Sequence, residues 1–291
     1  MNDNFTKHIH ISLFLLLFAS VVIAQNKILE KSVLECRYKL VMQKDTVNKI
    51  DSVEDDMVLR IGKTTSQFFS RHTFYHDSLW ADPDGRKKAE ELSIESLSSF
   101  GGPKKFGHRT TKDYLYKNYP EGKMTTFTND FLRVSFFYEE DYIPQQWIIG
   151  DSTKQILGHT CKKATCDFRG RQWIAWFAED IRIKDGPWKL NGLPGLILEA
   201  YDSKKDYHYT ATSMNKKIVF PVTFYKFQDN GEMKTERITY NHTLEKYLMG
   251  ADIEELDLLQ EALEKDIPLK FAKRRAKKLR YDFLERDHLT R

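Results

Sequence analysis

The chain has 291 residues, 41% of them hydrophobic and 13% aromatic, with 46 Lys and Arg against 42 Asp and Glu and three cysteines. That content supports a packed core and excludes collagen-like, wholly disordered and disulfide-scaffold proteins. The net charge of +4 is small beside the total charge and names no acidic partner.

At the N-terminus, Lys7 precedes an apolar run from Ile11 to Ile23 that closes on Val22-Ile23-Ala24. Compact side chains three and one residues before a cut suit signal peptidase, so residues 1–24 read as a signal peptide cleaved after Ala24. The run is shorter than the ~20 apolar residues that span a bilayer, and no later stretch is long and apolar enough. An exported chain without a transmembrane anchor is expected, in the periplasm or associated with the outer membrane.

Period two then dominates the apolar pattern. The expected strands are 33–43, 57–61, 65–71, 112–118, 124–129, 132–138, 145–149, 159–168, 171–178, 196–202, 207–214, 218–227 and 234–240. One helix, 84–98, is inserted among them, with Asp84 as a cap and Gly101-Gly102-Pro103 as its stop. Such a series predicts a mainly β fold: a large curved antiparallel sheet or half-barrel. Helices follow over about 252–285, opened by the capping pair Asp252 and Glu255 and interrupted at Pro268. Residues 252–266 carry a net charge of −6 and residues 270–280 one of +7, which nearly cancel. With no repeat and no linker of low complexity, residues 25–291 read as a single domain.

Export places the cysteines in an oxidising compartment. Cys161 and Cys166, five apart on one strand, would point to opposite faces and lie too far apart to bond. A bridge from Cys36, on the apolar face with Leu34, Tyr38, Leu40 and Met42, is expected instead. Alternation favours Cys166 as its partner, and a bulge would favour Cys161.

The most distinctive stretch runs from Cys161 to Asp202. Within it Gly192-Leu193-Pro194-Gly195-Leu196-Ile197 suits a type II turn, with Pro194 presetting φ and Gly195 accepting the positive φ that follows, feeding a buried strand. It lacks the further glycines and the Lys or helix cap of a phosphate loop. This stretch resembles the signature of the GLPGLI family, exported proteins of Bacteroidetes-group bacteria. The matching pieces are the hexapeptide itself, Cys161-Lys162-Lys163-Ala164, Phe168-Arg169-Gly170-Arg171, Ala175-Trp176, Gly186-Pro187-Trp188 and Leu198-Glu199, with Leu59-Arg60-Ile61-Gly62, Ser66 and Phe68 further out. Near the C-terminus the family has an Asn-Pro-Ile-Glu-like segment where this chain has Asp282-Phe283-Leu284-Glu285. The resemblance implies a β-rich periplasmic or surface protein encoded beside outer-membrane receptor systems, marks Cys161 as the family-like cysteine, and implies no established activity.

Candidate chemistry is sparse. His72 and His76 have the spacing of helical metal ligands, but Phe68, Phe69 and Phe74 around them suggest strand and turn. His159 and Cys161 would share a strand face without identifiable further ligands. Asp202 and His208 are candidate neighbours across a turn, with no nucleophile motif beside them. No metal site and no cofactor are therefore expected. The aromatic content suggests a ligand cleft formed by Trp173, Trp176, Phe177 and Trp188, with Arg169 and Arg171 orienting an anionic group. The resulting expectation is a non-catalytic envelope protein that binds an outer-membrane receptor or an apolar small ligand, and no nucleic acid. An envelope hydrolase and an assembly scaffold are the alternatives.

Overall fold

The computed structural model describes residues 26–43, 52–98, 111–128, 135–217, 220–225, 232–249 and 284–287. The expected signal peptide and the C-terminal helices as far as residue 283 lie outside them. The strands are β1 (Lys27–Glu30), β2 (Leu34–Gln43), β3 (Ser52–Ile61), β4 (Ser66–Ser70), β5 (Asp113–Lys117), β6 (Lys123–Thr128), β7 (Ser135–Asp141), β8 (Ile148–Ile156), β9 (His159–Phe168), β10 (Arg171–Ala178), β11 (Leu196–Asp202), β12 (Tyr207–Asn215), β13 (Val222–Phe224) and β14 (Glu232–Lys234). Three helices accompany them: α1 (Arg71–Ala81), α2 (Arg86–Ser98) and α3 (Arg237–Met249). Among the described residues no helix is long and apolar enough to cross a membrane.

The fold is mainly β. Twelve strands form one sheet in the order β14-β7-β6-β5-β4-β3-β2-β12-β11-β10-β9-β8, antiparallel except for β14 on β7, and β1 pairs β13 in a small second sheet. The large sheet is two runs of sequential neighbours, β3 to β7 and β8 to β12, with β2 between them. Ten strand steps separate β7 from β8, about 48 Å on a flat sheet at ~4.8 Å per step. The chain nevertheless passes from Asp141 to Ile148 through residues 142–147, which reach at most about 25 Å. The sheet must therefore curl until its edges approach one another, as an open half-barrel.

Alternation decides what the curl encloses. The inner face carries Leu34, Cys36, Tyr38 and Leu40 of β2, Leu59 of β3, Phe68 of β4, Leu115 of β5, Trp173 and Phe177 of β10, Leu198 of β11 and Tyr209 of β12, all buried in one cluster. The segment between β10 and β11 fills this interior with Ile181, Trp188, Leu190 and Leu193. On the outer face, Phe69, Tyr114, Tyr116 and Phe127 pack with Phe74 of α1 and with Phe224 and Tyr225 in and after β13.

Several expectations are corrected. Residues 71–81 are helical, capped by Ser70, whose side chain accepts from the Thr73 amide. The buried side chains of this helix are Thr73 and Asp77, so apolar periodicity gave no trace of it. Residues 237–240, expected as strand, open α3, and the 145–149 strand is β8, beginning at Ile148 and running to Ile156. The expected disulfide is absent: Cys36, Cys161 and Cys166 are free, buried thiols. Cys36 on β2 is four strand steps from β9, which bears both other cysteines, far beyond the ~7 Å between Cα atoms that a bridge tolerates. Burial pushes the thiol of Cys36 up to about 12, that of Cys161 to about 11 and that of Cys166 to about 12.

Candidate functional site

The expected ligand cleft divides between the two faces of the sheet. Trp173, Phe177 and Trp188 are inner-face core; the Trp188 ring lies 5.4 Å from Trp173 and 5.6 Å from Phe168. Arg171 is buried in an ion pair with Asp202 at 2.9 Å and donates through Nε to the Leu284 carbonyl at 3.0 Å. Arg169 pairs with Glu140 and, at 3.2 Å, with Asp287. Only Trp176 turns outward, half-buried. Asp202 and His208 do not meet, because Tyr201 opposes His208 in the hairpin register and Asp202 therefore faces inward. His72 and His76 lie one turn apart on α1 but bond elsewhere, His72 to Asp56 at 3.3 Å and His76 to the indole N–H of Trp80 at 2.9 Å. His159 pairs with Asp180 at 2.5 Å, while the neighbouring Cys161 is buried. Among the described residues no three His, Cys, Asp or Glu side chains converge as metal ligands.

The hexapeptide anchors the filling of the half-barrel. The positive φ falls at Gly192, +94°, rather than at Gly195 as the type II turn predicts. Gly195 is required by proximity: a Cβ there would stand 2.1 Å from the Ala178 carbonyl oxygen. Just before the hexapeptide, the buried Lys117 of β5 donates to Asp185 at 2.6 Å and to the carbonyls of Gly186 at 2.7 Å and Leu190 at 3.1 Å. Asp185 also accepts from Ser66 at 2.6 Å, and the Tyr38 hydroxyl donates to the Ile197 carbonyl at 2.7 Å. Lys189, equally buried, pairs with Glu140 and with Glu285 at 2.6 Å. Gln145 and Trp147, from the segment that bridges the sheet edges, bond to Asn191 on this filling segment.

The outer face of β8 to β12 collects partly exposed reactive side chains around one buried carboxylate, Glu199. Trp176 and Glu199 are register partners, Glu199 opposes Thr210, and Tyr201 opposes His208. One Glu199 oxygen accepts from His208 Nε2 at 2.7 Å; the other pairs with Lys154, whose ammonium lies 4.5 Å from the centre of the Trp176 ring. A second ammonium, Lys205, sits 5.6 Å from the Tyr201 ring centre, and Tyr201 meets the His208 imidazole edge-on at 5.2 Å. Among the described residues the Trp176 indole N–H has no hydrogen-bond partner. Partial burial, then the charges of Lys205 and Lys154, lower the His208 pKa, and burial lowers that of Lys154. At neutral pH His208 is therefore a free base held by a carboxylate, the arrangement that fixes an imidazole tautomer for proton transfer. A bulge between Trp176 and Phe177 sets the local register. Glu199 and Lys154 carry no spacing signal in the sequence; they meet only once β8, β9, β10 and β11 lie side by side.

The architecture and the site together define a mainly β protein, a curled antiparallel sheet with an acid–base cluster on its outer face. Residues 126–242, about two-fifths of the chain, match the family described as the N-terminal domain of the N-glycanase peptide. That span contains the cluster and the hexapeptide. None of the curated proteins matches. Two solved structures of PNGF-II, in space groups P21 and C2, align over 74% and 73% of the chain at 15% and 14% identity, with TM-scores of 0.46 and 0.45. The chain spans about a third of their length, 33% and 32%. The family match replaces the expectation of a non-catalytic binding protein of the GLPGLI kind, because the family fitting the signature region is described by an N-glycanase.

Proposed function

We propose that the protein is an exported hydrolase of N-glycosylated proteins or peptides, with its reaction centre on the outer face around His208 and Glu199. The observation that carries this reading is the imidazole–carboxylate pair at 2.7 Å, a partly exposed imidazole on a buried carboxylate beside Trp176 and Lys154, inside the span that matches an N-glycanase family. The bond joining an N-glycan to asparagine is an amide. His208 takes a proton from water and the oxygen attacks the side-chain carbonyl carbon. The C–N bond then breaks, and the proton passes to the departing nitrogen, leaving an aspartate and a 1-amino sugar. Glu199 orients the imidazole and offsets its transient charge; Lys154 beside it supplies the ammonium that stabilises the oxyanion in this reading. Of the residues expected to form a cleft, this reading keeps Trp176 as a contact for the sugar. A signal peptide over residues 1–24 would deliver a single-domain chain to the periplasm or outer membrane, where such substrates are met.

Incubating the mature protein with an N-glycopeptide and measuring released glycan by mass spectrometry tests the proposal. His208→Ala and Glu199→Gln should each slow release by about 10²-fold or more, with melting temperature unchanged. No release by the unsubstituted protein, or undiminished release by both variants, overturns it.

A further inference from the structure

The outer-face cluster contains more positive charge than its ion pairs consume. Glu199 is its central carboxylate, and Lys154 already answers it. Lys163 is the register partner of Trp176 on β9 and projects on the same face, half-buried. Lys205 is exposed at the tip of the β11–β12 hairpin in a left-handed conformation, φ +55°, its amide bonded to the Asp202 carbonyl at 2.8 Å. Neither ammonium has a carboxylate partner among the described residues. An aromatic ring stands where a carboxylate would otherwise be, Tyr201 beneath Lys205. A ring holds an ammonium in place without neutralising it, so the positive field stays available to a ligand.

The geometry points to an acidic glycan as the ligand: its carboxylate or sulfate groups meet Lys163 beside Trp176 and Lys205 above Tyr201, while its neutral part lies along Trp176, Ile174 and Tyr201 between them. Ile174 completes this strip, register partner of Tyr201 on one side and Thr165 on the other. The inference deepens the hydrolase reading by naming its substrate class and rests on that reading for turnover, whereas binding stands alone. A neutral glycan leaves both ammonium groups unanswered. An acidic one replaces the hydration of two positive charges with charge-assisted hydrogen bonds.

Calorimetric titration of the mature protein with three N-glycans of one skeleton, sialylated, sulfated and neutral, tests the inference. Either or both acidic forms should bind at least about tenfold more tightly than the neutral form at about 0.02 M salt, and the gap should close near 0.5 M, where the Debye length falls to a few ångströms. Comparing the sialylated and sulfated arms tells carboxylate from sulfate recognition. The double variant Lys163→Ala, Lys205→Ala, with both changes on the surface, should lose the preference while still binding the neutral form. Equal binding of all three glycans, a preference that survives in the double variant, or no binding of any of them overturns the inference. Preferential binding without glycan release supports it and removes the hydrolase reading alone.

Discussion

Lys117 and Lys189 are the two lysines on which the interior depends, and each shows a charge made tolerable by geometry. Burial lowers the Lys117 pKa against the pull of Asp185, while for Lys189 the carboxylates of Glu140 and Glu285 outweigh burial and raise it. Removing one partner from a sealed pair strands the other. Lys117→Met should therefore cost about 3–5 kcal/mol in chemical denaturation, and the further change Asp185→Leu should recover much of that loss. An unchanged midpoint in Lys117→Met would refute the pair's role. On the outer face the arithmetic differs, because a half-exposed cluster is screened and contributes little stability. For His208 the lowered pKa keeps the imidazole unprotonated down to lower pH than usual. The acid limb of glycan release should accordingly lie below about pH 6.5, and a limb above that value would exclude His208 as the base.

At the scale of elements, legibility followed periodicity. The strands β9, β10 and β11 match the expected 159–168, 171–178 and 196–202 end for end, because turn residues bound each apolar run, as they do the all-apolar Leu196 to Leu198 of β11. Helix α1 was illegible because its buried face is polar, Thr73 and Asp77, the latter bonded to the Tyr114 hydroxyl at 2.9 Å. The candidate site was half legible: Trp176 and His208 drew notice as residue types, whereas Glu199 and Lys154 required the strand order. Asp202 was misassigned because a one-residue difference in hairpin register exchanges the two faces. The segment Leu284–Asp287 shows what no local pattern could tell. Glu285 is buried between Lys189 and Arg237, Asp287 pairs with Arg237 at 2.7 Å, and the Arg286 amide donates to the Arg169 carbonyl at 2.9 Å. This short strap closes the charged end of the filling segment. Ending the chain before Leu284 should leave Lys189 short of one anion and lower the melting temperature by several degrees, about 2–4 °C per kcal/mol for a domain of this size. An unaltered melting temperature would show the strap to be dispensable.

Across the whole molecule, the carboxylates set the response to acid. Burial alone would raise the Glu285 carboxyl, but the charges of Lys189 and Arg237 bring it down to about 2. Asp287 is lowered chiefly by Arg237, and Glu30 by hydrogen bonds from Thr65, Thr64 and Lys63, each against some burial. Groups with depressed folded pKa stabilise above their unfolded value, and that stability drains as pH falls through the folded one. Asp55, raised by burial, works in the opposite sense and offsets part of the loss. Urea midpoints should thus hold from about pH 7 to pH 5 and fall steadily between about pH 4.5 and pH 2; a flat profile would contradict the buried network. The strand order bears on a different matter, the time course of assembly. The two runs of sequential strands meet where β2 pairs β12, as in Tyr38 beside Ala211. Every other contact within each run joins near neighbours, but this seam waits for almost the whole sheet to exist. A strand made near the start of synthesis keeps one edge bare until β12 arrives. During that interval the protein is open to mispairing with another chain, and its assembly favours dilution or an escort over speed.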